Sequence, residues 1–374
     1  CFSDSNHFKE HNLNQLDKKL FIKHFANRYE VEKNTYGNLS SKEVFKGYKT
    51  IYIDQNELNT EKEANQNITN TVSTQVDPTN LYELLTCEGK GSFGAVYKAL
   101  RKTDATIVAV KVIQVTSSDE VDSIHGEITM LRECNHVNIT MYTGAYLYNQ
   151  TLWIVMEYCG GGDLYKMFRD KQANGFSEFH AAKLISQLAS GIAYLHSNNT
   201  MHRDLKLSNL LLTEHGDLKI GDFGLSRFGD RYQSDFNVQT CWYRCPEVVL
   251  HNQFSYEADL WSMAVIIIEL IIDKPVFRVK YDNGLYYMIE LIVGKKPANI
   301  YNRNPNLSIT NLKLSAGEKI KSENYSTEIE QYLKAFLPNE LEPLIKGILK
   351  WDPNYRISLD ECRRIVNRYD VAKY

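Results

Sequence analysis

The residues best suited to chemistry lie in two short runs, HRDLKLSN at 202–209 and DFG at 222–224. Transfer of a phosphoryl group needs a carboxylate that orients the attacking hydroxyl, oxygen ligands for Mg²⁺, and cations that offset charge on the transferred group. Asp204 could supply the first, Asn209 with Asp222 the second, and Lys206 the third. A random surface cluster of charges does not explain these spacings together. The sequence therefore predicts a Mg²⁺-dependent phosphoryl-transfer site.

A glycine-rich segment, GKGSFGAV at 89–96, lies upstream of these runs. The pattern G-x-G-x-x-G alone also fits a dinucleotide-binding fold or an idle hairpin turn. In a dinucleotide-binding fold the third glycine opens a helix, whereas here strand-like runs stand on both sides of the glycines. We therefore expect a hairpin flap whose backbone amides approach phosphates, because glycine has no Cβ in the way.

Lys111 ends an apolar strand-like run that begins at Val108. A lysine in a buried strand needs an anion, and Glu127, in a helical pattern, could face it across the lobe and help it hold the α and β phosphates. Taken alone, the two residues fit a solvated pair better than a catalytic one. Their position after the glycine-rich segment favours the catalytic interpretation.

The predicted catalytic residues must be positioned by strands that precede them in the chain and by helices that surround them. Strand-like runs occupy 81–85, 95–99 and 106–113, where β-branched residues are frequent. Helical spacing of apolar residues predicts helices at 178–196, 258–272, 340–351 and 360–369. A small β-rich lobe followed by a mainly helical lobe is the expected arrangement.

Residues 1–80 differ in composition and are predicted to be an N-terminal extension. Apolar residues at helical spacing between Leu13 and Tyr29 predict an amphipathic helix, and 57–80 is polar without an apolar period, which indicates a linker. Packing of this helix on the neighbouring domain is favoured over a role as a regulatory partner helix.

Bulk composition narrows the classes of function. The net charge is −3 and the pI is about 6.4, so the chain has no general electrostatic attraction for nucleic acid. The longest apolar run is too short to span a bilayer. Seven cysteines without a repeated C-x-x-C spacing indicate a reducing compartment. Cys241, Cys245 and His251 lack a second pair that would complete a tetrahedral metal site. No basic and apolar leader is visible after Cys1. We expect an intracellular protein, cytoplasmic or nuclear.

Together the motifs resemble those of the eukaryotic protein kinase family, over about residues 81–366. The resemblance implies an α+β, bilobal protein kinase fold with ATP in the cleft. A small β-rich N-lobe with one main helix (81–157) would precede a larger, mostly helical C-lobe (160–366) and a C-terminal tail (367–374). The implied activity is ATP-dependent transfer of the γ-phosphate to protein hydroxyls.

The resemblance also implies which residues contact ATP. MEYC at 156–159 matches the hinge, with Met156 as the gatekeeper and with adenine contacts through backbone groups of Glu157 and Cys159. Asp163 would reach the ribose. Each of these is also a reasonable plain core or surface residue. The implied ATP-binding set is Gly89, Lys90, Gly91, Ser92, Gly94, Val96, Ala109, Lys111, Met156, Glu157, Cys159, Asp163 and Leu211.

Other matches to the family are structural. CPE at 245–247 stands where the family has Ala-Pro-Glu, and Glu247 is expected to pair with Arg356. Ala264, in the segment resembling the family's central helix, replaces the usual glycine, and the added methyl group should be tolerated. The candidates for an apolar column that stacks when a kinase is assembled are Leu131, Tyr142, His202 and Phe223.

The type of kinase is read from residues near the catalytic motifs. Lys206 and Thr240 resemble serine/threonine kinases more than tyrosine kinases. The segment at 152–160 resembles germinal-centre kinases, whereas TCWYRCPE at 240–247 resembles the cyclin-dependent and mitogen-activated group. Roughly forty polar residues before Leu337 resemble that group's insertion, which favours the second assignment. In that group an arginine placed like Arg244 helps shape a pocket for proline, so we hypothesise proline-directed substrates.

The segment before Thr240 suggests how the chain is activated. Asp235 stands where cyclin-dependent kinases carry a phosphothreonine, and the resemblance implies Arg203 and Arg227 as the receiving arginines. A carboxylate mimics phosphate in part, with one charge against about two. Gly126 stands where a third arginine would be, which argues against cyclin dependence. Ser234 and Tyr232 are alternative phosphorylation sites, and we expect substantial activity without phosphorylation of this loop.

Two other functions stay open at this point. A pseudokinase would be a folded scaffold that signals by binding, yet every catalytic side chain is present in the sequence. A kinase of small molecules is disfavoured because Thr240 and the segment at 245–247 resemble a peptide-docking loop. The expected partners are protein substrates, ATP and a regulatory protein whose identity the sequence does not give.

Overall fold

The computed structural model describes residues 76–91, 94–115, 128, 131–132, 134–169, 178–228, 232–307, 331 and 337–372, with the backbone alone at 91, 178–179, 227–228 and 370–372. Of these, residues 76–213 and 217–372 belong to one compact unit. The helix predicted at 13–29 and nearly all of the predicted linker lie outside the described residues.

Strands rich in β-branched residues form one antiparallel sheet in the N-lobe, in the order β1-β2-β3-β5-β4. Its small core is built from buried side chains that include Tyr82, Val110 and Trp153. The strand runs predicted from sequence are confirmed. The five strands are β1 (Tyr82–Gly91), β2 (Gly94–Arg101), β3 (Thr106–Gln114), β4 (Tyr142–Tyr148) and β5 (Thr151–Glu157).

Strand β1 is longer than its predicted range of 81–85. Its second half carries polar side chains such as Thr86, Glu88 and Lys90, so apolar alternation gives no signal there. Backbone pairing with β2 continues nevertheless, up to Gly91 opposite Gly94. The glycine-rich segment is therefore the turn of a β-hairpin, as the flanking strand-like runs predicted.

Gly94 is the glycine that this hairpin requires. Its φ is +128°, and a Cβ at this position would lie 2.2 Å from the carbonyl oxygen of Val112 in β3. Only glycine combines that backbone conformation with so close an approach of the neighbouring strand.

Helices are the main regular elements in the described part of the C-lobe. The predictions at 178–196 and 258–272 are confirmed, whereas the predicted 340–351 helix is shorter because the chain leaves helical geometry at Leu349, with ψ of 76°. The helix predicted at 360–369 runs three residues further, to Ala372. The helices are α1 (Leu164–Arg169), α2 (Glu178–Ser197), α3 (Pro246–Val249), α4 (Glu257–Ile272), α5 (Asp282–Val293), α6 (Glu342–Ile348) and α7 (Leu359–Ala372).

Helix α4 is the centre of the C-lobe core. Every residue from 258 to 270 is buried, including Ala264, so the apolar run read from the sequence is a core helix. Within the described part of the chain, no helix has the length and apolarity needed to cross a membrane. A helix that is apolar on nearly all sides is buried in the core. Segments that bond to its few polar residues are therefore attached to the core of the lobe.

Short strands flank the two motif runs in the C-lobe. One small sheet has the order β6-β8-β9 and the other pairs β7 with β10. The HRDLKLSN run lies between β7 and β8, and DFG follows β9 after one residue, Gly221. The strands are β6 (Gly162–Asp163), β7 (Thr200–Met201), β8 (Leu210–Leu212), β9 (Leu218–Ile220) and β10 (Arg227–Phe228).

Candidate active site

Lys111 and Asp222 meet between the two lobes. Lys111 lies in β3, and its Nζ is 3.3 Å from Oδ1 of Asp222, which follows β9. Burial raises the pKa of Asp222, but the Lys111 ammonium, with a smaller contribution from Lys206, outweighs burial and holds that pKa below its usual value. The Asp222 carboxylate is therefore ionised at neutral pH.

Two residues of the predicted site lie outside the described residues. They are Glu127, expected as the ion-pair partner of Lys111, and Ser92, expected in the hairpin turn. Both assignments stay predictions.

Strand register places several predicted ATP-binding residues on one face of the sheet. Val96 in β2 lies opposite Lys111, and Ala109, two residues before Lys111, lies opposite Met156 in β5. Because side chains alternate between faces along a strand, these four residues share a face. Since Lys111 on that face reaches Asp222, the face borders the cleft between the lobes.

The hinge is fastened by the side chain of Glu157 at the end of β5. Its Oε1 accepts a hydrogen bond from the Met141 N–H at 2.6 Å and lies 2.8 Å from Nζ of Lys219 in β9. Cys159, two residues on, is buried, and burial raises the pKa of its thiol to about 12. The thiol therefore stays protonated. Sequence reasoning missed Lys219, since no local pattern connects it to the hinge.

Asp163 and Leu211 pair across β6 and β8, so the residue predicted to reach the ribose lies beside another member of the predicted ATP-binding set. Oδ1 of Asp163 accepts from the backbone N–H of Lys166 at 2.8 Å, and Oδ2 lies 3.3 Å from Lys166 Nζ. That ammonium also donates to the carbonyl of Glu88 at 3.0 Å, immediately before Gly89. Lys166 thus joins Asp163 to the start of the glycine-rich hairpin.

Asp204 is the most heavily bonded carboxylate of the predicted catalytic set. Its Oδ1 accepts from the N–H and the hydroxyl of Thr240, at 3.0 and 2.8 Å. Its Oδ2 accepts from Lys206 Nζ at 2.7 Å and from Asn209 Nδ2 at 3.2 Å. Lys206 also donates to the Thr240 hydroxyl at 3.0 Å. The three predicted residues and Thr240 therefore form one cluster.

Asn209 connects this cluster to Asp222. Its Nδ2 donates to the backbone carbonyl of Asp204 at 2.9 Å, and its own carbonyl accepts the Gly221 N–H at 2.9 Å. Because Gly221 directly precedes Asp222, a continuous path of contacts runs from Asp204 through Asn209 to Asp222 and Lys111.

Asp259, near the start of α4, fixes the backbone of the catalytic loop. Its Oδ1 accepts the Arg203 N–H and its Oδ2 accepts the His202 N–H, both at 2.9 Å. His196 Nε2 also lies 2.9 Å from Oδ2. Burial raises the pKa of Asp259, but these bonds outweigh it, so the pKa is lowered. Arg203 has a φ of +63°, an uncommon conformation that these bonds hold in place.

His202 joins the two motif runs. Its Nδ1 accepts the Asp204 N–H at 3.2 Å, and its Nε2 lies 3.0 Å from the Gly221 carbonyl, which places the proton of a neutral ring on Nε2. The His202 and Phe223 rings are 5.0 Å apart. Leu131 and Phe223 both belong to the large buried core, and Tyr142 packs against that core. The His202–Phe223 contact of the predicted apolar column is therefore present, and the stacking of Leu131 and Tyr142 in that column stays a prediction.

The predicted activation-segment residues are only partly assembled. Asp235 Oδ2 lies 3.9 Å from Nη1 of Arg203. Ser234 and Tyr232 are exposed. The backbone of Arg227 pairs with Met201 in the β10–β7 ladder, and its side chain is outside the described atoms. Arg203 therefore meets its predicted anionic partner, and the part assigned to Arg227 stays a prediction.

Arg244 ties together the segment that follows Asp235. Its Nη2 donates to the Gln239 carbonyl at 3.1 Å, its Nε donates to the Val238 carbonyl at 3.2 Å, and its Nη1 donates to Asp282 Oδ1 at 2.6 Å. Gln239 has a φ of +59°. Sequence reasoning missed Gln239 and Asp282, because neither belongs to a motif.

The expected pair of Glu247 and Arg356 is present and buried. Arg356 donates from both terminal nitrogens to the two carboxylate oxygens of Glu247, at 2.7 and 2.5 Å. It also donates to the Glu257 carbonyl at 2.9 Å. This fork-to-fork pair fastens the start of α3 to the segment before α7.

Known proteins similar to this chain include two that are named as serine/threonine-protein kinases. Serine/threonine-protein kinase 1 of Arabidopsis thaliana is 36% identical over 221 residues, which are 58% of this chain and 26% of that protein. Serine/threonine-protein kinase dst1 of Dictyostelium discoideum is 36% identical over 196 residues, 52% of this chain and 26% of that protein. Sporulation-specific protein 1 of Saccharomyces cerevisiae is 37% identical over 215 residues, 56% of this chain and 44% of that protein.

The matched part of this chain spans less than half the length of each of these relatives. A family model described as the protein kinase domain matches residues 82–366, which is most of the chain. The five-stranded N-lobe sheet and the helical C-lobe agree with the bilobal α+β fold of that family. The chain therefore belongs to the eukaryotic protein kinase family.

Proposed function

We propose that this chain is an ATP- and Mg²⁺-dependent serine/threonine protein kinase. The observation that carries the proposal is the continuous contact path from Lys111 through Asp222 and Asn209 to Asp204. It places a cation, two oxygen-bearing side chains and a buried carboxylate in one cleft, in the arrangement that phosphoryl transfer needs. The related serine/threonine-protein kinases support the same activity.

The donor set fits Mg²⁺. Both Nδ2 bonds of Asn209 go to Asp204, so the amide oxygen of Asn209 is the end left for a cation. The Asp222 carboxylate is ionised because Lys111 lowers its pKa. Amide and carboxylate oxygens are the ligands that Mg²⁺ prefers, and the ion would neutralise charge on the phosphates.

The chemical role of Asp204 follows from its position. The hydroxyl oxygen of the substrate attacks the γ-phosphorus of ATP, the bond from that phosphorus to the ADP oxygen breaks, and the hydroxyl proton passes to the Asp204 carboxylate. Lys206, bonded to Asp204 at 2.7 Å, is placed to offset charge on the transferred group. Thr240 holds the carboxylate from its other side.

We also propose that the substrates are proline-directed. The Gln239 carbonyl is directed at the Arg244 guanidinium, from which it accepts a hydrogen bond at 3.1 Å, so it is a poorer acceptor for the amide of the residue that follows the phosphorylated one. Proline has no amide hydrogen to satisfy, and it loses nothing at that position. A peptide array in which proline after the acceptor brings no gain in rate would contradict this part of the proposal.

A paired substitution tests the enzymatic function against a binding-only scaffold. The purified chain should phosphorylate a degenerate serine/threonine peptide library, and Asp222→Asn should abolish this turnover. Asp217→Asn is the matched control, because Asp217 is also about half exposed and ion-paired to a lysine, Lys183 at 3.0 Å, outside the site. Turnover of peptide and ATP that survives in Asp222→Asn would overturn the proposal, as would a folded wild type that transfers no phosphate.

A further inference from the structure

The side chain of Gln239 is a buried bridge between three parts of the C-lobe. Gln239 is only 4% exposed. Its Nε2 donates to the Ala258 carbonyl at 3.1 Å and to the Ser262 hydroxyl at 3.0 Å, both in α4. Its Oε1 accepts the Cys245 N–H at 2.9 Å. Each amide hydrogen thus has an acceptor, and the amide oxygen has a donor.

The backbone of Gln239 is bonded just as fully. Its N–H donates to the Arg203 carbonyl in the catalytic loop at 2.9 Å. Its carbonyl accepts from Arg244. One residue therefore connects the catalytic loop, helix α4 and both ends of the segment 239–245, which is the stretch that holds Thr240 against Asp204.

Two features of Gln239 are unfavourable by themselves. A φ of +59° is uncommon for a residue other than glycine, asparagine or aspartate, and burial of an amide is costly unless its hydrogen bonds are made. Glycine would satisfy the backbone conformation with no side chain to bury. What glutamine adds over glycine at this position is therefore its side-chain amide, because glycine would make the same backbone bonds.

The bonded network continues beyond Gln239 to the rest of the segment. The Ser262 hydroxyl, which accepts from Gln239, donates to the Tyr243 carbonyl at 2.9 Å. The Cys245 N–H precedes α3 and is fully buried, so without the Gln239 oxygen it would lose its partner. Removing the amide would break both bonds from residue 239 to α4 and the bond that joins residue 239 to Cys245, whereas the bonds of Tyr243 to Ser262 and Glu269 in α4 would remain.

We infer that Gln239 is a positioning residue that fastens segment 239–245 to helix α4 and so sets Thr240 on Asp204 and shapes the surface that receives the protein substrate. This inference rests on the proposed kinase function. Gln239 touches no reacting atom in this scheme. Its loss should therefore weaken productive binding of a peptide substrate more than binding of ATP.

The test compares Gln239→Leu with Gln187→Leu in the whole chain. Gln187 is a partly buried glutamine in α2 that also makes two amide hydrogen bonds, to Asp217 and to the Leu218 N–H, away from the segment. Gln239→Leu is expected to raise the KM for a peptide substrate at least 10-fold with the KM for ATP within about 2-fold. Gln187→Leu should leave both constants unchanged.

Gln239→Gly separates the amide from the backbone conformation and serves if the leucine variant does not fold. We expect the same rise in peptide KM, because glycine adopts this positive φ readily but lacks the amide. Wild-type peptide KM in a folded Gln239→Gly variant would overturn the inference.

Hydrogen–deuterium exchange gives a readout that does not depend on activity. Exchange within 238–245 should rise at least 10-fold in either Gln239 variant and stay at the wild-type rate in Gln187→Leu. If wild type transfers no phosphate but exchange rises as expected, the proposed function fails and the fastening role stands. If wild type is active and neither exchange nor peptide KM changes, the fastening role fails and the kinase proposal stands.

Discussion

The two sides of the cleft hold their charged residues in different ways. On the substrate side, the Asp204 side chain is 9% exposed and is held by Lys206, Asn209 and Thr240. On the nucleotide side, the Asp222 side chain is 48% exposed and is paired with Lys111 at the longer distance of 3.3 Å. The substrate side is thus set by bonds within the protein, and the nucleotide side meets solvent more freely.

This difference indicates which substitutions should change the stability of the fold and which should change catalytic activity. The substrate side is fastened to helix α4, the most buried element of the C-lobe, through Asp259 and Gln239. On the nucleotide side, Lys111 lies in a sheet with a small core of its own. Changes behind the substrate side should therefore destabilise the fold, whereas changes at Asp222 should remove activity with little loss of stability.

The largest expected effect is on stability, from breaking the buried pair behind the substrate side. Glu247→Ala leaves Arg356 charged and fully buried, which should lower the free energy of unfolding by about 3–5 kcal/mol. Asp222→Asn breaks a partly exposed pair and should cost no more than about 1 kcal/mol. Denaturant unfolding of the two variants measures the contrast.

Glu342→Ala is the control for this comparison, since it removes the same atoms from the exposed pair with Lys346. Its effect should stay below about 1 kcal/mol. Equal destabilisation by Glu247→Ala and Asp222→Asn would contradict the distinction between the two sides.

The next effect concerns pH and Glu269 in α4. Burial raises the pKa of Glu269 to about 7, despite bonds from the Tyr243 hydroxyl and the Val276 N–H. The folded chain then binds a proton more tightly than the unfolded chain, whose carboxyl titrates near 4.5. Stability from this group is complete below about pH 4.5 and falls as the pH rises to about 7, by roughly 3 kcal/mol in all.

Glu269→Gln removes this dependence. Unfolding free energies at pH 5, 6, 7 and 8 should therefore show that the variant becomes more stable relative to wild type as the pH rises. This difference in unfolding free energy should reach a plateau above about pH 7. Parallel curves for the two proteins across this range would show that Glu269 does not titrate there in the folded chain.

Much of the nucleotide side could be predicted from the sequence, because its chemistry is concentrated in local motifs. The glycine hairpin, Lys111 and Asp222 were each read from a short pattern, and the structure brings Lys111 and Asp222 into contact. Strand β1 was predicted too short because its outer half is polar and is held by backbone pairing, which leaves no apolar period to detect.

The fastening of the substrate side could not be predicted, because it depends on contacts between distant segments. Gln239 bonds to α4 and, on the nucleotide side, Lys219 bonds to the hinge, yet neither residue stands in a chemical motif. Asp259 lies in the helix predicted at 258–272, but only the structure reveals its bonds to the catalytic loop. A single sequence contains no signal for such pairs.

Thr240 tests the innermost bonds of the substrate side. Thr240→Val keeps the shape and the backbone bond to Asp204 but removes the hydroxyl that joins Asp204 to Lys206. Loss of a hydrogen bond to a charged group should lower kcat/KM about 10- to 100-fold. Thr240→Ser, which restores the hydroxyl, should recover most of the rate. Steady-state kinetics with one peptide substrate decides, and an equal loss in both variants would assign the effect to packing.

The smallest expected effect is at Asp235, at the outer edge of the substrate side. Its side chain is 51% exposed and lies 3.9 Å from the buried Arg203, so the pair resembles a surface ion pair worth no more than about 1 kcal/mol. Asp235→Asn should therefore lower kcat/KM of the unphosphorylated chain by about fivefold at most, and the loss should shrink at high salt. Ser234→Ala is the neighbouring control and should leave the unphosphorylated chain at its original rate. A wild-type preparation that is inert until an upstream kinase phosphorylates the loop would contradict this prediction, because it would show that one carboxylate near Arg203 does not assemble the segment.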